Sequence, residues 1–195
     1  MSLDTFHARP GHLIRRLNQI SQGLFHEEAG AHGLTSVQFA ALSMIRDVPG
    51  IDQVSLSSLI AFDKTTIVKV LDRLEQKELI TRERSAADRR SNELRATDDG
   101  VKLLKQVEPL FDRSDRRIVA PLSSAEQRKF MEMLSRIVQQ NNDHSRAPMD
   151  HTLREGLLAQ RPAKPAGRRG AANGPRKSSG AATQIGKRAG SRPRV

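Results

Sequence analysis

The side chains that could do chemistry in this sequence are mostly cations and hydroxyls, and several are spaced to share one face of a helix. At 100° per residue, Thr65 and Lys69 fall opposite the apolar side of the helix that starts after Asp63, and Thr66 and Arg73 lie on its flank. Lysine and threonine donate hydrogen bonds of the kind that acceptors on the major-groove edge of DNA receive. The spacing therefore indicates a binding surface on one exposed helix face.

No residue pattern in the sequence matches a known catalytic or metal site. The chain has no cysteine, which excludes disulfides, thiol catalysis and cysteine-ligated metals. It has no Ser/His/Asp arrangement, P-loop or GxGxxG sequence. The best metal candidate, His26 beside Glu27 and Glu28, lacks the paired histidines of a helical metal site. We expect a protein that is not an enzyme and binds no cofactor or metal.

The positive charge is concentrated at one end of the chain. The formal net charge is +11, yet residues 151–195 hold 11 Lys plus Arg against one acid, Glu155. Such a segment suits the phosphates of nucleic acid. Aromatic residues make up 3%, with no Trp or Tyr, which argues against proteins that stack single-stranded bases. Double-stranded DNA is therefore the expected partner.

The chain also lacks the apolar segments that membrane insertion and export require. No stretch approaches the roughly 18 consecutive apolar residues of a membrane span, and residues 1–11 contain no signal-peptide core. Together with the missing cysteines, this predicts a cytoplasmic protein without a membrane partner.

The elements that must position the candidate donors are mostly helices. Apolar periodicity and capping residues predict helices over residues 12–30, 35–48, 55–61 and 63–78, the third of them beginning with serine. Two short strands joined by a charged loop are expected over 80–97, followed by helices over 97–119, with a kink at Pro109, and 123–138. This mainly α order with a small β-hairpin wing is that of a winged helix-turn-helix.

Three sequence features resemble the MarR family of bacterial transcriptional regulators. They are the segment from Ser55 to Arg82, the Asp88-Arg89-Arg90 sequence of the hairpin loop, and the Thr97-x-x-Gly100 sequence before the following helix. The resemblance covers about residues 12–140 and implies a transcriptional regulator that binds DNA through a winged helix-turn-helix.

The resemblance also assigns roles to particular residues. It implies that Asp63 caps the recognition helix, that Arg90 enters the minor groove and that Asp88 steadies the wing. The residues expected to bind DNA are Ser55, Ser57, Lys64, Thr65, Thr66, Lys69, Arg73, Arg84, Asp88, Arg89 and Arg90. The alternative interpretations are an ordinary solvated helix face and a charged turn.

The first helix and the last two carry more apolar surface than a DNA-binding lobe can cover. We therefore expect a homodimer with a dimerisation helix in residues 1–34, the lobe in 35–97 and dimerisation helices in 98–148. Its two-fold symmetry predicts a pseudo-palindromic operator with half-sites about 10 bp apart. Closure of a monomeric core by the same helices is the alternative.

A small organic effector is implied by the same resemblance. Many family members bind an aromatic acid, a phenol or an acyl-thioester between the dimer helices and the lobe, which predicts a repressor released from its operator by ligand. The candidate ligand contacts are His12, Arg15, Arg16 and Phe39, because a guanidinium pairs with a carboxylate or phosphate. For the arginines, a solvated helix face is the alternative.

Residues 149–195 are rich in Pro, Gly, Ala, Ser, Lys and Arg and are expected to form a disordered basic tail. The tail either adds phosphate contacts or serves only solubility. Two other functions remain open: an architectural DNA-coating protein that acts through its tail, and a small-molecule-binding enzyme on a helical scaffold. For the enzyme, no acid/base or nucleophile set is found.

Overall fold

The computed structural model describes residues 3–84 and 92–160, all within one compact unit, Met1–Arg161. Its helices are α1 (Leu3–His7), α2 (Pro10–Ala29), α3 (Ser36–Asp47), α4 (Gln53–Ile60), α5 (Lys64–Gln76), α6 (Asp98–Val119), α7 (Ser124–Gln140) and α8 (His151–Gln160). Its strands are β1 (Ile51–Asp52), β2 (Ile80–Arg84) and β3 (Asn92–Ala96). The predicted fold class, mainly α with a β-hairpin wing, is confirmed.

Side-chain caps set the starts of the helices in the way the sequence predicts. Thr35 and Gln38 form a capping box at the start of α3, and Ser123 and Glu126 form one at the start of α7. Asp63 caps α5, since its carboxylate accepts from the backbone N of Thr66 at 3.0 Å. These caps satisfy backbone N–H groups that have no partner inside the helix.

The start of α4 differs from the prediction. Its N-cap is Asp52, whose Oδ1 accepts from the backbone N of Val54 at 2.8 Å and of Ser55 at 3.0 Å. Burial raises the pKa of Asp52, but these hydrogen bonds and one from the Ser55 hydroxyl outweigh it and hold the pKa below its ordinary value. The helix begins before the predicted serine because Asp52, three residues earlier, satisfies its first donors.

The sheet has a third strand that the alternating pattern did not predict. β2 and β3 form the expected antiparallel hairpin, with Arg82 opposite Leu94, and β1 adds to the other edge of β3 with Ile51 opposite Leu94. A two-residue strand leaves no periodicity to detect. It exists because β3 offers it an unpaired edge.

One apolar core joins the N-terminal helix to the rest of the described unit. α2 packs along α6, where Phe25 and Ala29 are buried on α2 and Leu104 and Val107 on α6. The core continues into the lobe through buried residues of α3, α4, α5 and the sheet. α6 runs without interruption through Pro109.

The residues after Met149 correct the expectation of a tail without structure from that point. His151–Gln160 form α8, and Leu153 and Leu157 pack against the core. Two leucines one turn apart are enough to dock a helix on a surface that is already built. The rest of the predicted tail lies outside the described residues. Among those that the structure describes, no helix is both long and apolar enough to cross a membrane.

Candidate nucleic-acid interface

Helix α5 presents an outward face to solvent and carries five of the eleven predicted DNA-binding side chains. Ile67, Val70, Leu71 and Leu74 bury the opposite face in the core. Lys64, Thr65, Lys69 and Arg73 are exposed. Thr66 is half-buried, and its hydroxyl donates to Asp63 Oδ2 at 2.7 Å. The structure thus leaves four of the five predicted donors of this helix exposed to solvent.

Side-chain hydrogen bonds fix the turn between α4 and α5. Ala61 has φ 53°, a left-handed conformation that ends α4, and the Ser57 hydroxyl donates to the carbonyl O of Phe62 at 2.5 Å. Ser57 is only 7% exposed. The structure therefore corrects its expected role as a DNA contact, because its hydroxyl is committed to the helix-turn-helix turn. Ser55 is half-buried and donates to Asp52 Oδ2 at 2.5 Å.

Arg82 on β2 ties the wing to the recognition helix. It donates to Asp72 Oδ1 at 2.5 Å, and its Nε lies 3.2 Å from Glu75 Oε2. The sequence analysis named Arg82 only as the last residue of the segment that resembles the MarR family. The single positive charge of Arg82 offsets one of the two negative charges of Asp72 and Glu75 on α5. The helix segment from Asp63 to Leu79 has as many acids as bases, and this pairing leaves its exposed face more positive than its composition indicates.

The Thr97-x-x-Gly100 sequence joins α6 to the end of the recognition helix. Thr97 Oγ1 donates to the carbonyl O of Glu78 at 2.8 Å and accepts from the backbone N of Gly100 at 3.0 Å. A Cβ on Gly100 would lie 2.2 Å from the carbonyl O of Leu79. Glycine is required because the start of α6 lies directly against the backbone that precedes β2.

Val68 is a surface residue that the sequence analysis missed. It is 40% exposed, on the flank of α5 next to Thr65 and across the helix from the flank of Thr66 and Arg73. An apolar side chain among exposed donors suits the methyl group of thymine in the major groove. The sequence signal was weak, since position 68 falls on a flank of the helix at 100° per residue and not opposite its apolar face.

The remaining predicted DNA contacts belong to the wing. Arg84 is exposed at the end of β2. Asp88, Arg89 and Arg90 lie outside the described residues, and their roles stay predictions.

The four predicted ligand contacts lie in two different surroundings. His12, Arg15 and Arg16 are near the start of α2, where Arg15 Nη2 lies 3.3 Å from His12 Nδ1. Desolvation by the neighbouring groups, followed by the positive charge of Arg15, lowers the pKa of His12. Phe39 is a core residue, 6% exposed and stacked on Phe111 with ring centroids 4.6 Å apart. Its burial leaves the ring no free face for a ligand.

A cleft of about 450 Å³ lies between the end of α2, the start of α3 and the recognition helix. Phe25, Leu34, Val37 and Val70 give it apolar walls, and its polar lining comes from Gln22, His26, Thr35, Ser36, Thr66, Lys69 and Arg73. Lys69 and Arg73 therefore face both the cleft and the outside of α5. None of the four predicted ligand contacts lines it.

The carboxylates of the metal candidate have other partners. Glu27 accepts from Arg117 Nη2 at 2.9 Å, and Glu28 accepts from Arg117 Nη1 at 2.9 Å and contacts Arg113 Nε at 3.1 Å. Within residues 3–84 and 92–160, no group of three His, Asp or Glu side chains could hold a metal ion. These ion pairs instead join α2 to α6.

A helix-turn-helix with an exposed second helix, followed by a hairpin pinned against that helix, defines a winged-helix DNA-binding protein. Comparison with known proteins agrees. The MarR family model matches residues 34–91. The transcriptional regulator HosA of Escherichia coli O127:H6 is 33% identical over 127 residues, which cover 65% of this chain and 93% of HosA.

Two solved structures are similar throughout their length. The PcaV transcriptional regulator of Streptomyces coelicolor in complex with its natural ligand is 31% identical, with a TM-score of 0.64, covering 71% of this chain and 98% of PcaV. Bordetella bronchiseptica BpsR, whose DNA binding is regulated by 6-hydroxynicotinic acid, is 27% identical, with a TM-score of 0.65, covering 68% and 94%. The chain belongs to the MarR family and is a transcriptional regulator, not an enzyme.

Proposed function

We propose that this protein is a dimeric repressor that reads a pseudo-palindromic operator and is released from it by a small aromatic acid. The outward face of α5 is the observation that supports sequence-specific binding to DNA. It holds Lys64, Thr65, Val68, Lys69 and Arg73 at the surface, while its opposite face is locked into the core. Such a helix offers donors and an apolar group to the major groove at one fixed orientation.

The test compares binding to an operator, selected from random duplexes, with binding to a shuffled duplex. Lys69→Ala is expected to weaken operator binding by about tenfold or more, because it removes a charge-assisted contact at the groove. Lys105→Ala is the matched control, since Lys105 is exposed on α6 away from the recognition helix. Equal binding of the wild type to both duplexes would contradict sequence reading and favour a protein that merely coats DNA.

A second copy of this chain is the proposed partner of α7. This 17-residue amphipathic helix has no buried residue, and Met131, Met133, Ile137 and Val138 on it are exposed. A groove of about 880 Å³ between α2, α6 and α7 is lined largely by apolar side chains, including Ile14, Phe130 and Leu134. Exposed apolar surface of this extent marks an interface. A two-fold pairing of these faces would also place the two recognition helices on successive major grooves.

The cleft beside the recognition helix is the proposed effector site. It combines apolar walls with Lys69 and Arg73, which suits a ring that carries a carboxylate. The description of BpsR names an acid of this kind as its regulator. A ligand there would engage two cations that the DNA-bound state also uses. Its affinity would therefore differ between the free and bound states, as release requires.

Gln22→Glu tests this site, because it places a negative charge in the cleft without touching α5. With 6-hydroxynicotinic acid as the probe, we expect the ligand concentration for half-release of operator to rise at least about fivefold. Gln19→Glu, one turn earlier on α2 and not part of the cleft lining, should behave as the wild type. Identical release curves for both variants would contradict the site.

A further inference from the structure

The C-terminal helix α8 is attached to the DNA-binding lobe. The backbone N of Asp150 donates to the carbonyl O of Ser58 on α4 at 3.2 Å. Leu153 and Leu157, one turn apart on α8, pack against the core. α4 is the first helix of the helix-turn-helix, so α8 is built onto the same lobe as the recognition helix.

The connection that leads into α8 is held by side-chain hydrogen bonds. The Asn142 side chain donates to the carbonyl O of Met149 at 3.1 Å and accepts from the backbone N of Met149 at 2.9 Å. Asp150 Oδ1 then accepts from the backbone N of Leu153 at 2.9 Å, which caps the new helix. These contacts specify the position of α8.

The chain that continues from α8 is strongly basic. Residues 161–195 hold ten Lys plus Arg and no Asp or Glu. Their Pro, Gly, Ala and Ser content leaves few apolar side chains from which a core could be built. The alignment with HosA covers 93% of HosA but leaves about a third of this chain unaligned. This protein therefore carries residues that HosA lacks.

We propose that α8 anchors residues 161–195 to the DNA-binding lobe and that these residues bind phosphates of the duplex on either side of the operator. The inference rests on the proposed function only in that the lobe must first be seated on DNA. Phosphate binding needs cations rather than a particular sequence, and the segment supplies ten per chain.

The length of residues 161–195 and their attachment to the lobe both favour contact with the DNA phosphates. A chain of 35 residues spans at most roughly 120 Å when fully extended, which sets the upper limit on how far from its attachment it can contact DNA. Attachment at the lobe raises the effective concentration of the cations at those phosphates, and a longer tether lowers it as about the −3/2 power of its length.

The first test neutralises the segment in the full chain by replacing Arg161, Lys164, Arg168, Arg169, Arg176, Lys177, Lys187, Arg188, Arg192 and Arg194 with Gln. Operator affinity is measured by fluorescence anisotropy across a salt series. We expect the slope of log K against log salt to become shallower by at least roughly 3, because each phosphate contact contributes about 0.9. A variant with residues 162–195 in shuffled order should keep the wild-type slope. A slope unchanged by neutralisation, or one lost on shuffling, would overturn phosphate binding.

The second test detaches the anchor. Leu153→Asp with Leu157→Asp should undock α8, whereas Thr152→Asp with Gly156→Asp adds the same charge at exposed positions, Gly156 having open space around it. We expect the undocked variant to bind operator about two- to threefold more weakly than its control. It should also lose hydroxyl-radical protections at fixed positions beside the operator. Equal footprints and affinities for the two variants would overturn the anchoring role.

The experiments distinguish a failure of the proposed function from a failure of the inference about α8 and residues 161–195. The neutralised variant should retain the preference for operator over shuffled duplex, because that preference comes from α5. If the wild type itself shows no preference, the proposed function fails. If the preference is present but the salt slope does not depend on the basic residues, only this inference fails.

Discussion

Val68 is a residue of the recognition helix whose exposure differs from what its residue type predicts. Its side chain stands 40% exposed among cations and hydroxyls, although valine usually packs inside. The cations beside it attract any duplex, whereas an apolar group at the groove distinguishes a thymine methyl from other base edges. We therefore assign part of the sequence discrimination to this side chain.

Val68→Ala should weaken operator binding roughly three- to tenfold through lost apolar contact, with little change in stability because the side chain is exposed. The measurement is a double-mutant cycle that combines Val68→Ala with replacement of single operator thymines by deoxyuridine, which lacks the methyl group. At the contacted position the two changes should not add. Full additivity at every thymine would contradict the contact.

At the scale of elements, the start of α6 sets the position of the recognition helix. Thr97 and Gly100 lie against the carbonyls of Glu78 and Leu79, so the end of α5, the start of β2 and the start of α6 form one contact. Arg82 adds a second link, from β2 back to α5. The wing and the recognition helix are thus positioned as a pair.

Gly100→Ala should destabilise the fold by about 3 kcal/mol or more, because its Cβ would meet a backbone carbonyl that cannot rotate away. Gly23→Ala is the matched control within α2, where a Cβ would meet nothing within 4 Å. The control should gain up to about 1 kcal/mol from higher helix propensity. Urea unfolding measures both, and equal stability of the two variants would disprove the close approach.

At the scale of the whole molecule, the exposed apolar faces of α2 and α7 are the surfaces through which the proposed dimer would form. Ile137 and Val138 are more than half exposed, at 53% and 58%, on a helix of which only Gln127, Phe130 and Leu134 are partly buried and no residue is fully buried. Such a helix gains little stability from its own chain, because helices in proteins are held mainly by packing.

Ile137→Asp should convert the dimer to a monomer in sedimentation velocity and reduce operator binding by more than about tenfold, because one lobe alone makes half the contacts. Gln139→Asp carries the same new charge on the polar side of α7 and should remain dimeric. A dimer that survives Ile137→Asp would place the interface elsewhere.

Local signals in the sequence determined most of the elements. Thr35, Asp63 and Ser123 cap their helices through contacts three residues away, and the apolar period of α5 identifies its exposed face. These interactions are short-range, so residue order alone encodes them. The resemblance to a known family rested on the same local patterns.

Tertiary structure decided what depends on distant residues. β1 exists because β3 offers it an edge, α8 exists because a surface was available for two leucines, and Ser57 and Phe39 proved to be interior positions. Lys69 and Arg73 belong to both a DNA-facing helix and a cleft only because α2 and α3 pack beside them. A one-dimensional period specifies which face of a helix is apolar, but the partner that covers it comes from elsewhere in the chain.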